Sequence, residues 1–240
     1  MMAAQMKVLL WLWGQKEQAG IECMIPFYTI MQVCNNMFIE IKINIVIMRH
    51  LLLKVFKKIR KVFVGGVKKN IHGKNNKIVV LSSLKGIGTL TITMRGNNNI
   101  VKVGQSCRLR KKNKIFITGD NNTIDIGNYV SFDQNVSLVC CEGSSIVIGD
   151  DSMFAANVRI RTSDQHPIYD INDNRLNYAK NVVIGNHVWL GASCLIMKGV
   201  SIGNNSVIGI NSMVTKNIPD NCIAAGSPCK VIKNEIHWER

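Results

Sequence analysis

The residues with the clearest capacity for chemistry form a short polar run, Ser163-Asp164-Gln165-His166-Pro167. An imidazole titrates near neutrality, so His166 is a candidate general base for taking a proton from a hydroxyl. Asp164 and Asp170 lie close enough in sequence to orient its ring. A lone histidine in a polar loop is more often plain surface than catalyst, so the surrounding elements must decide. His187 and His237 raise the question of a metal. A zinc site needs at least three converging ligands. The spacing here offers none, and no metal is expected.

The elements around His166 are repeats. From Ile184 the chain divides into sixes that open on Ile184, Leu190, Ile196, Ile202, Ile208 and Val214. Four of these hexads carry glycine next: Gly185, Gly191, Gly203 and Gly209. The fifth places are small or β-branched: Val188, Cys194, Val200, Ser206, Ser212 and Ile218. The same phase returns upstream at Ile126, Phe132 and Leu138, and at Ile148, Phe154 and Ile160. One aliphatic residue per hexad points inward, the fifth fills the corner, and Gly or Asn takes the turn. Three hexads close one triangular coil, and coils stack as parallel strands. Further upstream, Gly104, Gly127 and Gly149 are 23 and 22 residues apart, and polar turns precede each of them. These read as coils with one longer corner, and residues 78–94 as a first, less regular coil. The phase breaks between Arg161 and Asn181. A long insertion in a regular solenoid is usually functional, and this one holds His166.

Before the repeats lie two different segments. Residues 1–47 show no six-residue period, and their apolar runs are too short for a signal peptide core or a membrane span. They are expected to be an extension, upstream of the natural start or poorly ordered. From Met48 the chain reads MRHLLLKVFKKIRKVF, with Leu52, Val55, Phe56, Ile59 and Phe63 at helical spacing. Residues 48–77 hold ten Lys or Arg and no Asp or Glu. This is a basic amphipathic helix that caps the core, lies on an anionic membrane surface, or does both. The expected organisation is therefore extension 1–47, basic helix and linker 48–74, repeat domain 75–226 with the loop 162–181, and a C-terminal segment 227–240. The net charge of +15 favours an anionic partner. Nucleic acid is not expected, because no stacking platform or DNA-binding motif is visible. Eight cysteines without a CxxC pair read as reduced, packed thiols of a cytoplasmic protein. The basic segment could hold such a protein at the inner face of the membrane.

The stretch VVIGNHVWLGASCLIMKGVSIGNNSVIGINSMVTKNIPDNCIAAGSPCKVI resembles the hexapeptide-repeat acyltransferases, an all-β family of left-handed parallel β-helices. Within that family it is similar to bacterial acetyltransferases of sugars, capsules and sialic acids. The upstream piece RTSDQHPIYDINDNRLNYAKNVVIG and the ending VIKNEIHWER strengthen the likeness, which covers about residues 96–240. The resemblance implies acetyl-CoA as donor, a sugar hydroxyl as acceptor and a homotrimer with its sites between subunits. It implies a catalytic histidine about two dozen residues before a coil tryptophan; His166 precedes Trp189 by 23. It places Trp189, Gly191 and Ala192 beside coenzyme A, with Ile210 where many relatives carry alanine. Thr215, Lys216, Lys230 and Lys233 fall at positions near its nucleotide end. Asn135 is a candidate contact to the acceptor across a subunit boundary. Two other readings stay open on the same scaffold: acetyl transfer to an amino sugar or small molecule, and a non-enzymatic rod, which would need neither the His166 loop nor Trp189.

Overall fold

The computed structural model describes residues 66–81 and 90–240. Residues 1–47, the helix expected over 48–63, Cys23 and Cys34 lie outside them. Among the described residues twenty strands, β1 to β20, form three sheets. The chain visits the sheets in turn. The first sheet holds β1 (Val67–His72), β3 (Leu90–Arg95), β6 (Asn113–Thr118), β9 (Ser137–Cys141), β12 (Arg159–Arg161), β15 (Leu195–Ile196) and β18 (Met213–Val214). The second holds β2 (Lys77–Val80), β4 (Ile100–Val103), β7 (Thr123–Ile126), β10 (Ser145–Ile148), β13 (Val182–Ile184) and β16 (Ser201–Ile202). The third runs through β5 (Arg108–Leu109), β8 (Ser131–Phe132), β11 (Met153–Phe154), β14 (Trp189–Leu190), β17 (Val207–Ile208), β19 (Ile223–Gly226) and β20 (Cys229–Lys233). Pairing between coils is parallel, and only β20 folds back antiparallel onto β19 among the described strands.

This is a three-sided parallel prism, and its interior is the hexad pattern made solid. Ile184, Leu190, Ile196, Ile202, Ile208 and Val214 are all buried, as are Val188, Cys194, Val200, Ser206, Ser212 and Ile218. Upstream, Ile126, Phe132, Leu138, Ile148, Phe154 and Ile160 join the same core, with the Phe132 and Phe154 rings stacked at 4.8 Å. The six described cysteines are buried free thiols.

Two expectations change. The first described coil opens with β1 at Val67, inside the stretch read as linker, and pairs residue for residue with β3. Its Lys68-Lys69-Asn70 run hid the strand, because an end strand exposes its polar residues and shows no clean alternation. Residues 78–94 are therefore not one coil: β2 belongs to the first described turn of the solenoid and β3 opens the next.

The corner between the first and second sheets is built on buried amides. Asn99 accepts from the Asn122 backbone N–H and amide, each at 2.9 Å, and donates to the Gly119 carbonyl at 3.0 Å. Asn122 in turn accepts from the Ser144 N–H at 3.2 Å. Ser144 donates to the Thr162 hydroxyl at 2.7 Å, which also takes the Cys141 N–H at 3.0 Å. Buried polar groups are stable only when paired, and here each coil pairs those of the next. The column ends at Thr162, where the inserted loop begins.

Candidate active site

Strand β12 ends at Arg161 and β13 opens at Val182, so the segment carrying His166 leaves the prism at the corner between the first and second sheets. Its two ends are stitched together: the Lys180 N–H donates to the Thr162 carbonyl at 2.9 Å. The arm between them is a short hairpin closed by a Tyr169–Arg175 bridge and a Leu176 N–H to Ile168 carbonyl bond of 2.8 Å.

Four side chains fix the arm against the solenoid. Glu142, in the corner of the preceding coil, accepts from Arg175 at 2.8 and 2.9 Å and from the Ser163 hydroxyl at 2.8 Å. The Arg175 guanidinium holds the Glu142 carboxyl below the usual carboxylate range. Asn177 is buried; it accepts from the Ile168 N–H at 2.7 Å and donates to the His166 carbonyl at 2.8 Å. It also donates to Asp164 at 2.9 Å. Lys198, from the next coil, bonds Asp164 and donates to the Asn177 carbonyl at 3.0 Å. That ammonium is the main cause of the lowered Asp164 pKa.

The two carboxylates expected to orient the imidazole are therefore committed elsewhere. Asp164 anchors the arm to Lys198. Asp170 caps the hairpin turn, taking the Asn172 and Asn174 N–H groups at 2.8 Å each, which lower its pKa. His166 is exposed, and its ring makes no hydrogen bond or ion pair among the described residues. The backbone of His166 is thus held by Asn177 while its imidazole stands exposed.

Trp189 lies on the outer side of the third sheet, the face across the prism from the His166 corner. It is 39% exposed, in keeping with its outward place in the hexad. Gly191 and Ala192 follow it at the corner between the third and first sheets, and Ile210, 66% exposed, sits one coil on at the same corner. A Cβ on Gly191 would stand 2.7 Å from both the Ile208 carbonyl oxygen and the Ile210 nitrogen. Coil stacking alone demands glycine there. Lys230 and Lys233 are exposed on β20, on the third-sheet side, whereas Thr215 and Lys216 follow β18 at the His166 corner. One chain does not bring these two pairs together. Asn135 takes a left-handed turn (φ 60°) and donates to Asn157 at 2.8 Å, as part of a corner ladder.

Sequence reading missed Glu142, Arg175, Asn177 and Lys198, whose roles rest on partners far along the chain. It also missed the strap made by the C-terminus. Trp238 stacks on His187, donates to its carbonyl at 3.1 Å and lies 5.8 Å from Trp189. His187 in turn contacts Asp151 at 2.7 Å. Arg240 reaches Asp151 and the Tyr129 carbonyl, each at 3.0 Å.

Comparison with known proteins agrees with this architecture. The family model described as bacterial transferase hexapeptide (six repeats) matches residues 181–216. A polysialic acid O-acetyltransferase of Neisseria meningitidis is 36% identical over 148 residues, which make up 52% of this chain and 67% of that protein. The crystal structure of a polysialic-acid-specific acetyltransferase is 33% identical, with a TM-score of 0.60 over 72% of this chain and 89% of that one. The chain belongs to the hexapeptide-repeat acyltransferases. Its prism is accordingly the left-handed parallel β-helix of that family. A polysialic acid O-acetyltransferase of Escherichia coli O1:K1 is 39% identical over 137 residues, 55% of this chain and 44% of that protein. The chain spans about half the length of the first curated relatives it matches, 44%, 63% and 56%.

Proposed function

We propose that this hexapeptide-repeat protein is an acetyl-CoA-dependent O-acetyltransferase. It esterifies a sugar hydroxyl of a bacterial surface polysaccharide or its lipid-linked precursor. The observation that carries this is the His166 arm: four side chains fix its backbone, and the imidazole stays exposed and uncommitted. A rod needs no such arm. The names of the relatives, polysialic acid and galactoside O-acetyltransferases, support a sugar hydroxyl as acceptor.

In this reading His166 takes the proton of the acceptor hydroxyl as the oxygen attacks the thioester carbonyl carbon. A C–O bond forms and the C–S bond breaks. The imidazolium returns the proton to the departing thiolate, giving an acetyl ester and free coenzyme A thiol. A backbone N–H holds the developing oxyanion. No step in this reading needs a covalent intermediate.

The donor would lie along the third sheet, beside Trp189, Gly191, Ala192 and Ile210. That sheet faces away from the His166 corner of its own chain. A complete site therefore takes His166 from one chain and Trp189 from a neighbour, and a homotrimer meets this need with identical contacts at each boundary. The arm's exposed Ile168, Tyr169, Ile171, Leu176 and Tyr178 would be covered there. Thr215 and Lys216 of the first chain and Lys230 and Lys233 of the second would approach the same groove. The enzyme would work in the cytoplasm, with residues 48–63 drawing it to the anionic inner face of the membrane.

The test is release of free thiol from acetyl-CoA in the presence of capsule and lipopolysaccharide fragments. Release with a hydroxyl acceptor, reduced roughly 10²- to 10⁴-fold in His166→Ala, is the expected result. Release that survives the substitution removes His166 from the chemistry. Release with amino sugars alone makes the protein an N-acetyltransferase.

A further inference from the structure

The charges of the solenoid are not spread evenly over its three faces. On the second sheet Lys102 pairs with Asp125 at 3.4 Å, and beside the third Arg110 pairs with Asp133 at 3.4 Å. The seven strands of the first sheet contain no Asp or Glu. They carry Lys68, Arg95, Lys114, Arg159 and Arg161 on the outer side, and none of these five has an ion-pair partner among the described residues.

Strand register sets these cations in order. Lys68 lies beside Thr91, Thr91 beside Lys114, Lys114 beside Ser137, and Ser137 beside Arg159. Cation and hydroxyl alternate down one straight column. Neighbouring coils are about 4.8 Å apart, so the cations repeat at about 10 Å along the solenoid axis. The next column holds Asn70, Thr93, Phe116, Val139 and Arg161. Arg161 donates to the Gln165 side chain at 3.2 Å, one residue before His166. The row of charge therefore runs from the N-terminal coils to the arm that bears the base.

We infer that the outer face of the first sheet is a track for an acidic polysaccharide, laid along the solenoid axis with one sugar delivered to His166. This rests on the acetyl-transfer reading for the sugar at the end of the track, but not for binding itself. Regularly spaced cations hold a polymer with a charge on its repeating units, and alternating hydroxyls suit its hydroxyls. A membrane is a poorer occupant. Surfaces that lie on lipid pair their cations with protruding apolar side chains. Between these cations stand Thr91, Thr93 and Ser137 with two half-buried apolar side chains, Val139 and Phe116, and Phe116 lies under the Arg95 guanidinium at 5.8 Å. One part-covered phenyl ring and the His72 imidazole on β1 give nucleic acid no run of stacking faces.

The test reads binding without donor. Labelled polygalacturonate chains of increasing length, their carboxyl-reduced neutral counterparts and phosphatidylglycerol vesicles are titrated into the full-length protein. Wild type should bind the acidic chains more tightly with length and less tightly with salt. The Lys114→Ser/Arg159→Ser double variant should bind them about tenfold more weakly or worse. Lys102→Ser, on the second sheet, should bind like wild type. Equal binding of the neutral polymer, an unaffected double variant, or binding to vesicles alone would overturn the track. Acidic polymer bound without thiol release under any acceptor would leave the track standing and sink the transferase reading. Thiol release on neutral acceptors without polymer binding would do the reverse.

Discussion

The indole of Trp238 lies flat on the imidazole of His187, with ring centroids 3.9 Å apart and planes 11° from parallel. The contact joins residues 51 positions apart and ties the end of the chain across a column of corner residues. The Ile236 N–H bonds the Asn221 carbonyl, Trp238 covers His187, and Arg240 reaches Tyr129. The tail thus runs back along the solenoid and bridges several coils that otherwise touch only their neighbours.

Removing that stack should loosen the strap as a unit. Trp238→Ala is expected to cost about 1–2 kcal/mol in denaturant unfolding, and Trp238→Phe should recover most of it. Trp189, freed of its neighbour, should show red-shifted fluorescence in the alanine variant. Unchanged stability and emission would mean that the tail is not held by the ring contact.

On the proposed role of His166 as base, Asn177 separates positioning from chemistry. Asn177→Ala leaves the Ile168 N–H and the His166 carbonyl without partners. Orphaned buried groups cost about 1–3 kcal/mol, and the arm should shift. Thiol release should fall roughly tenfold to a hundredfold in kcat, with the KM for acetyl-CoA little changed. Asn177→Asp should be worse, since it can accept from Ile168 but faces the Asp164 carboxylate. Equal activity in all three proteins would show that the arm does not depend on this amide.

The arm should also come loose in acid. Glu142, Asp164 and Asp170 all have lowered pKa values, through Arg175, Lys198 and the Asn174 N–H respectively. A carboxyl whose folded value lies below its unfolded one stabilises fully above the unfolded value, about 4. That stabilisation is lost as pH falls through the folded value. Hydrogen exchange across residues 162–181 should therefore be flat from pH 7 to about 5, once corrected for intrinsic rates, and rise below about 4. Glu142→Gln should raise protection losses at pH 7 and shrink the acid response. An identical profile for wild type and variant would refute the Glu142 anchor.

Much of the prism was legible because its rules are local. A hexad places its own aliphatic residue, its own corner filler and its own turn, so Ile184 through Val214 could be assigned to the core from spacing alone. The interruption before Asn181 announced the loop in the same way. The first described strand was not legible, because Lys68 and Lys69 break the pattern there. Nor were the fates of Asp164 and Asp170 as hydrogen-bonding groups. Asp164 is claimed by Lys198, 34 residues on, and Glu142 meets Arg175 across 33. Such pairings depend on which coil lies beside which, and a period read along the chain does not number the neighbours.

The bond that joins Lys180 to Thr162 makes the whole His166 arm a detour from a closed circuit. The coil would be complete with a short turn in its place. Arms of other lengths and sequences can therefore be exchanged at this corner while the stacked coils keep their register. The surface presented at this corner can thus be replaced wholesale by trading one insert, with no revision of the core.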